Sequence, residues 1–250
     1  DMGKMNKLIK LDRDSQLATF GAGTQGPEIE AQLKAEGFTL GHYPQSWELS
    51  TVGGWVASRS SGQQSLHYGR IEALFAGGSM ETLAGTLDIP TIPASSAGPD
   101  IREIVLGSEG RMGIITEVVV RVTPLPEAEA FKVVFFSSWD VGLLVAKSLV
   151  QQRVPLSMVR LSNPMETTSL LHMGAGEDSG GVAALDASLA EQGIGTGKVM
   201  MTIGVTGSTD SCAFATASAL AICHAHGGVP DQLGLGENWA HGRFRAPYLR

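Results

Sequence analysis

Cysteine is almost missing from this 250-residue chain, with Cys212 and Cys223 the only two. The run Thr209 to His226 predicts a single helix that carries both, and eleven residues at ~1.5 Å of rise each set them roughly 16 Å apart. That is too far for a bridge. A disulfide-stapled secreted scaffold is excluded, and a reducing, cytoplasmic setting is the expectation. A positive excess is missing too. Against 25 acidic residues stand 18 Lys and Arg, for a net charge of -7 and a pI near 5.4. Without a basic footprint, nucleic acid and anionic membrane surfaces are poor partners. A small anionic ligand gripped by a few arginines stays compatible with that charge. The chain shows no apolar run long enough to span a bilayer and no charged-then-apolar leader. It also shows no internal repeat and no low-complexity tract. Histidines offer no metal: His224 and His226, two apart on a helix, face different ways, while His42, His67, His172 and His241 have no ligand spacing. Neither a Ser-His-Asp order nor a carboxylate pair stands out, which removes the support for a hydrolase.

What the chain does have is 43% hydrophobic residues, enough at this length for one large domain or two modest ones. Strands are predicted at Lys7 to Leu11 and Leu17 to Phe20. A helix follows from Pro27 to Glu36, with proline at its start, Ile29 and Leu33 on its buried stripe, and Gly37 as its stop. A second helix starts after Thr51 and runs through Trp55 and Val56. Two strands flank the turn at Ala84 and Gly85, and Pro99 to Leu106 reads as a helix closed by Gly107. The β-branched run Ile114 to Val122 is the strongest strand signal, ended by Pro124 and Pro126. Those prolines stop pairing on both sides and set a domain boundary, 1–126 against 127–250. Beyond it, strands at Phe131 to Phe136, Ser157 to Leu161 and Val199 to Val205 alternate with helices at Val141 to Val150, Pro164 to His172 and Thr209 to His226. That alternation predicts a ferredoxin-like α/β domain. The glycine-rich stretch Gly174 to Gly197 reads as a mobile connection. The fold class is therefore α+β.

Three glycine-bearing segments carry the chemistry. The first, Gly21-Ala22-Gly23-Thr24-Gln25-Gly26, fits the dinucleotide pattern G-x-G-x-x-G. The strand before it is short and carries Thr19, however, and no ribose-binding acid ends the next one, so a structural turn is the better reading. The second is Gln45-Ser46-Trp47-Glu48-Leu49-Ser50-Thr51-Val52-Gly53-Gly54-Trp55. Hydroxyls, paired glycines and open amides at a helix start suit a pyrophosphate or ribityl chain lying on the backbone. An ordinary Thr51 cap with glycines for tight packing is the plainer alternative. The third runs from Leu106 to Glu117 and holds Gly107, Gly110 and Gly113, a concentration costly in chain entropy unless something must come close to that backbone. A bulged helix-to-strand connection is its plain alternative.

In order and spacing, Ser50 to Arg59, Tyr68-Gly69-Arg70-Ile71-Glu72, Gly98-Pro99-Asp100-Ile101 and Gly107 through Glu117 resemble FAD-binding enzymes of the vanillyl-alcohol oxidase and p-cresol methylhydroxylase type. Within that group the likeness is greatest to the alkyldihydroxyacetonephosphate synthases and their bacterial relatives. The resemblance implies the C-terminal part of a p-cresol methylhydroxylase-type FAD domain over 1–126, then the first part of a substrate or cap domain over 127–250. It implies FAD as cofactor, with contacts from Gln45, Ser46, Trp47, Glu48, Leu49, Ser50 and Thr51. Ser58, Arg59, Ser60 and Ser61 form a second set, and Glu109, Gly110, Arg111, Met112, Gly113, Ile114 and Ile115 a third. On the substrate side, Arg160 matches an arginine that the family needs for activity, and Arg250 matches one that binds substrate. A guanidinium's forked donors suit phosphate or carboxylate alike. On residue context alone, a surface ion pair at a strand end is the better reading of Arg160.

The implied activity is exchange of the acyl group of acyl-dihydroxyacetone phosphate for a long-chain alkyl group in ether-lipid synthesis. The alternatives are an FAD-dependent D-2-hydroxy-acid or alcohol dehydrogenase and a non-catalytic nucleotide-binding module. The family's pyrophosphate loop is expected upstream of Asp1 and its tyrosine and histidine cluster downstream of Arg250. The chain is thus read as a fragment holding one wall of a flavin site. A homodimer is left open.

Overall fold

In the computed structural model, which describes residues 2–175 and 179–244, the chain divides into two compact units. One runs to Leu125 and takes in Phe244, and the other is Pro126–Arg243.

The first unit is built on an antiparallel sheet of β1 (Leu8–Asp12), β2 (Leu17–Gly21), β4 (Phe75–Thr82), β5 (Gly85–Ile89) and β6 (Ile114–Arg121), in the order β1-β2-β6-β4-β5. The β-branched run predicted as the strongest strand is its centre. Val118 and Val120 point inward and are fully buried. Helix α1 (Gly26–Ala35) starts with a capping box between Gln25 and Glu28 and packs Ile29 and Leu33 into the same core. Short strands β3 (Phe38–Thr39) and β7 (Thr123–Pro124) pair with each other, so pairing continues through Pro124, one step beyond the stop that its ring predicted. Proline is tolerated there because the pair is short and peripheral. Helices α2 (Val52–Ser58), α3 (Ser65–Tyr68), α4 (Ile71–Leu74) and α5 (Ile101–Val105) complete the unit.

The second unit holds an antiparallel sheet of β8 (Ala128–Phe136), β9 (Met158–Ser162), β10 (Val199–Gly207) and β11 (Val229–Pro230), in the order β11-β8-β10-β9. Numbered within the unit, that order is 4-1-3-2, the ferredoxin-like arrangement. Helices α6 (Trp139–Gln151) and α9 (Thr209–Ala225) cover one face, burying Val145, Leu149, Ala215 and Ala219 against Val134 and Met201. The other face is covered by α7 (Pro164–Ala175), α8 (Ser179–Glu191) and, at one end, α10 (Leu235–Gly242). Helix α8 corrects the mobile connection expected over Gly174 to Gly197. Val182, Leu185 and Leu189 recur at helical spacing and are buried on Phe135 and Met200. Glycine content had masked that period.

Among the described residues no helix is long and apolar enough to cross a membrane, and no group of three His, Cys, Asp or Glu side chains could hold a metal ion. Cys212 and Cys223 are buried free thiols on α9.

Candidate functional site

Helix α2 is the piece of the first unit around which the candidate segments gather. Its cap is the residue the sequence points to: Thr51, extended at φ -112°, accepts a hydrogen bond from the Gly54 N–H at 3.3 Å. The other first-turn amides are not open, however. Val52 N–H donates to the Thr24 carbonyl at 3.0 Å and Gly53 N–H to that of Ala22 at 2.9 Å. Gly53 also lacks room for a side chain, since a Cβ there would lie 2.7 Å from the Ala22 methyl. The helix start is therefore consumed by packing, which corrects the expectation of free amides and of an approach at Gly53. What stays open is one side of the helix, where Gly54 and Ser58 are exposed and Thr51 is half-buried. The G-x-G-x-x-G turn is likewise filled by the chain itself, with Gly21 against Met5, Gly23 against Met2 and Gly26 against Trp47.

Upstream of the helix, the loop from Gly41 to Ser50 is anchored from below. The Glu30 carboxylate, buried on α1, accepts from Thr39 Oγ1 at 2.8 Å and from the amides of Leu40 and Gly41 at 3.2 and 3.1 Å. Its burial pushes its pKa up from the ordinary carboxylate value. His42 is 1% exposed, lies against the Trp55 ring at 4.9 Å and places Nε2 3.1 Å from Ser60 Oγ. Burial drives its pKa down to about 4, so the ring is neutral at pH 7. Ser50 Oγ accepts from the Trp55 indole N–H at 2.7 Å and donates to the Ser46 carbonyl at 2.8 Å. Gln45, Ser46, Glu48 and Leu49 are exposed, while Trp47 is half-buried against Tyr43.

Downstream, the chain leaves α2 through Arg59, in the left-handed region at φ 51° and ψ 48°. The third segment is fastened at the same end. Gly107 N–H donates to the Val56 carbonyl and Glu109 N–H to that of Ala57, both at 3.0 Å. Gly113, at φ 152°, passes so close to β4 that a Cβ would lie 2.2 Å from the Glu81 carbonyl oxygen. The following chain feeds β6, where Ile115 is buried. Ser61, Glu109, Gly110, Arg111, Met112 and Ile114 are exposed.

Among the described residues, three buried polar atoms on these segments and the loop before α2 have no partner: His42 Nδ1, Trp47 Nε1 and Ser108 Oγ. Such atoms are costly unless a ligand or water reaches them. The indole edge of Trp47 packs over Gly26, so it is Ser108 Oγ, with the side-chain-free strip at Gly54, that fits a polar group of a dinucleotide. Ser108 and His42 were not singled out in the sequence. The small-hydroxyl pattern Gly-Ser-Glu-Gly was the one available signal for Ser108, and nothing local marks His42, whose partner lies eighteen residues away.

Residues 1–87 match the FAD binding domain family. They belong to it. FAD is the cofactor of that family, and the match takes in the first two candidate segments. Over its whole length the chain is 32% identical to alkyldihydroxyacetonephosphate synthase of Dictyostelium discoideum, of which it covers 42%. A solved structure of an alkyldihydroxyacetonephosphate synthase superposes over 100% of the chain and 46% of its own, with a TM-score of 0.86 at 32% identity. An uncharacterized FAD-linked oxidoreductase of Escherichia coli K12, YgcU, is 35% identical over 67% of the chain and 35% of its own length. The chain thus spans less than half the length of the relatives it matches.

Outside the FAD domain, Arg160 sits in the middle of β9, opposite Thr202 on β10. Its Nη2 is 2.6 Å from Glu166 Oε1, and both side chains are about one-third exposed (35% and 38%). The ion pair that residue context allowed is therefore present. Arg250 lies outside the described residues.

Proposed function

We propose that this chain forms one wall of the flavin site of an FAD-dependent enzyme of the alkyldihydroxyacetonephosphate synthase type, which replaces the acyl group of acyl-dihydroxyacetone phosphate with a long-chain alkyl group. The observation that carries this reading is the gathering of all three candidate segments around α2. When bound, FAD supplies the ring that takes or shares an electron pair at the reacting carbon. The protein's own part is to hold and shield. The hydroxyls of Thr51 and Ser61 donate to the cofactor's polar chain and those of Ser46 and Ser58, whose protons go to Ser50 Oγ and the Gly54 carbonyl, accept from it, with Gln45, Glu48, Glu109 and Arg111 at the rim. The exposed apolar side chains of Leu49, Met112 and Ile114 keep water from the face they cover.

Arg160 is assigned to the acid or phosphate of the substrate. A guanidinium carries five donors, and Glu166 takes one of them here, orienting the fork for an anion. Arg250, by the same family match, is assigned to substrate binding. The reducing compartment suggested by Cys212 and Cys223, and a homodimer, belong to this reading as proposals.

A second reading is hydride removal from a 2-hydroxy acid or an alcohol, favoured by the 35% identity to an FAD-linked oxidoreductase. One experiment separates the two. Full-length protein carrying this sequence is given acyl-dihydroxyacetone phosphate with a labelled long-chain alcohol, or a D-2-hydroxy acid under anaerobic conditions. Label in an ether-linked product with no bleaching of the flavin by the acid supports the first reading. Bleaching by the acid and no ether product replaces it with the second.

A further inference from the structure

Arg59 lies within a segment assigned to FAD contact, and its charge would suit a pyrophosphate. Its surroundings give it other work. The side chain leaves the left-handed cap of α2 and runs over Gly107, with Cγ and Cδ 3.1 and 3.2 Å from where a Gly107 Cβ would be. Nε donates to the Leu106 carbonyl at 3.1 Å, and Nη2 donates to the Glu103 carbonyl at 3.2 Å and to Glu103 Oε2 at 2.7 Å. Its own carbonyl accepts from Arg70 Nη2 at 3.0 Å. Beneath this side chain run the two backbone bonds from Gly107 and Glu109 to the end of α2.

We propose that Arg59 is a positioning residue rather than a phosphate ligand: a clamp that holds the Gly107 to Glu109 turn on the C-terminal end of α2, so that two flavin-contacting segments keep one fixed spacing. The inference rests on the reading of both segments as flavin contacts. The chemistry requires an arginine. Two carbonyls and a carboxylate, set side by side, need a planar fork, and the point charge of lysine reaches one of them at a time. The Glu103 carboxylate is the lesser anchor, because the pair is well exposed, at 39% and 57%, and screened by solvent. The carbonyls of Leu106 and Glu103 carry the hold. Gly107 fits the same account: any side chain there would displace the Arg59 methylenes.

The test has two arms. In the chain itself, hydrogen exchange is followed at the amides of Gly107 and Glu109 in wild type, Arg59→Lys, Arg59→Ala and Glu103→Gln. Both Arg59 variants should speed exchange at these two amides about tenfold or more, the loss expected for one or two net hydrogen bonds. Glu103→Gln should change it by less than about threefold. In the full-length protein, FAD and riboflavin are titrated by flavin fluorescence, well below the unfolding temperature. A clamp weakens both ligands by a similar factor, roughly tenfold, in both Arg59 variants. A phosphate ligand would weaken FAD and spare riboflavin, and that outcome overturns the proposal. Unchanged exchange at both amides overturns it as well. A wild-type protein that binds neither flavin would defeat the flavin reading of the segments, while the exchange arm still decides whether the clamp exists.

Discussion

Two buried titratable side chains hold the approach to α2, and they respond to pH in opposite directions. His42 has its pKa lowered to about 4 by burial, from 6.5 when exposed. Between those values the unfolded chain binds a proton that the folded one refuses. The stability it protects is complete above pH 6.5 and falls as pH drops towards 4, by about 3 kcal/mol in total. Chemical denaturation at a series of pH values should show that slope, and His42→Ala should flatten it. Glu30 has its pKa raised by burial, so its contribution is complete below 4.5 and declines as pH climbs through the folded value. Glutamine can accept the amides of Leu40 and Gly41 with its carbonyl and meet Thr39 with its amide. Glu30→Gln should therefore match or exceed wild-type stability at pH 7. Glu30→Ala leaves the buried amides of Leu40 and Gly41 unpaired, at about 1–3 kcal/mol apiece, and leaves Thr39 Oγ1 with the Tyr43 hydroxyl, 3.4 Å away; a stability within about 1 kcal/mol of wild type would contradict the role given to this carboxylate.

At the level of elements, the adjacent glycines of α2 do different jobs. Gly53→Ala pushes a methyl into Ala22 and should cost about 1–3 kcal/mol, as overpacking does. Gly54→Ala points outward, with Thr51 Oγ1 at 3.3 Å its one close neighbour, and should alter stability by no more than about 1 kcal/mol. If the open side of α2 carries the cofactor, Gly54→Ala weakens FAD in the full-length protein while Gly53→Ala acts through folding. Thermal melts set beside FAD titrations read the difference. The sequence makes the helix and its Thr51 cap legible because both are local. It does not show that the first amides are taken, because their acceptors, Ala22 and Thr24, lie near thirty residues upstream and belong to a turn that resembles a ligand loop. The same limit hides α8: its buried Val182, Leu185 and Leu189 match a helix, but only the opposing sheet face, from Phe135 and Met200, turns that weak period into a packed element. By contrast the β-branched run of β6 needs no partner to be recognised, and the alternation of strands and helices in the second unit is enough to suggest a ferredoxin-like sheet.

Across the whole molecule, two units of distinct architecture are folded from a chain shorter than half of the relatives it matches. In the reading proposed above, the first supplies side chains and one helix face towards a flavin, while the first amides of α2 are taken by the Thr24 and Ala22 carbonyls. The 250-residue chain by itself should therefore bind FAD weakly or not at all. A flavin titration that gives a dissociation constant below about 1 μM, corresponding to roughly 8 kcal/mol of binding, would show that the wall is enough.

The loop that carries Trp47 and the helix that carries Trp55 also give the protein a built-in reporter. The chain's four tryptophans fall as two pairs, Trp47 and Trp55 in the first unit and Trp139 and Trp239 in the second. Oxidised flavin absorbs where indole emits, so a cofactor resting along α2 would drain the excited state of the first pair by energy transfer. With Trp139 and Trp239 replaced by phenylalanine, the remaining emission would follow occupancy of the α2 face directly, without any label attached to the protein.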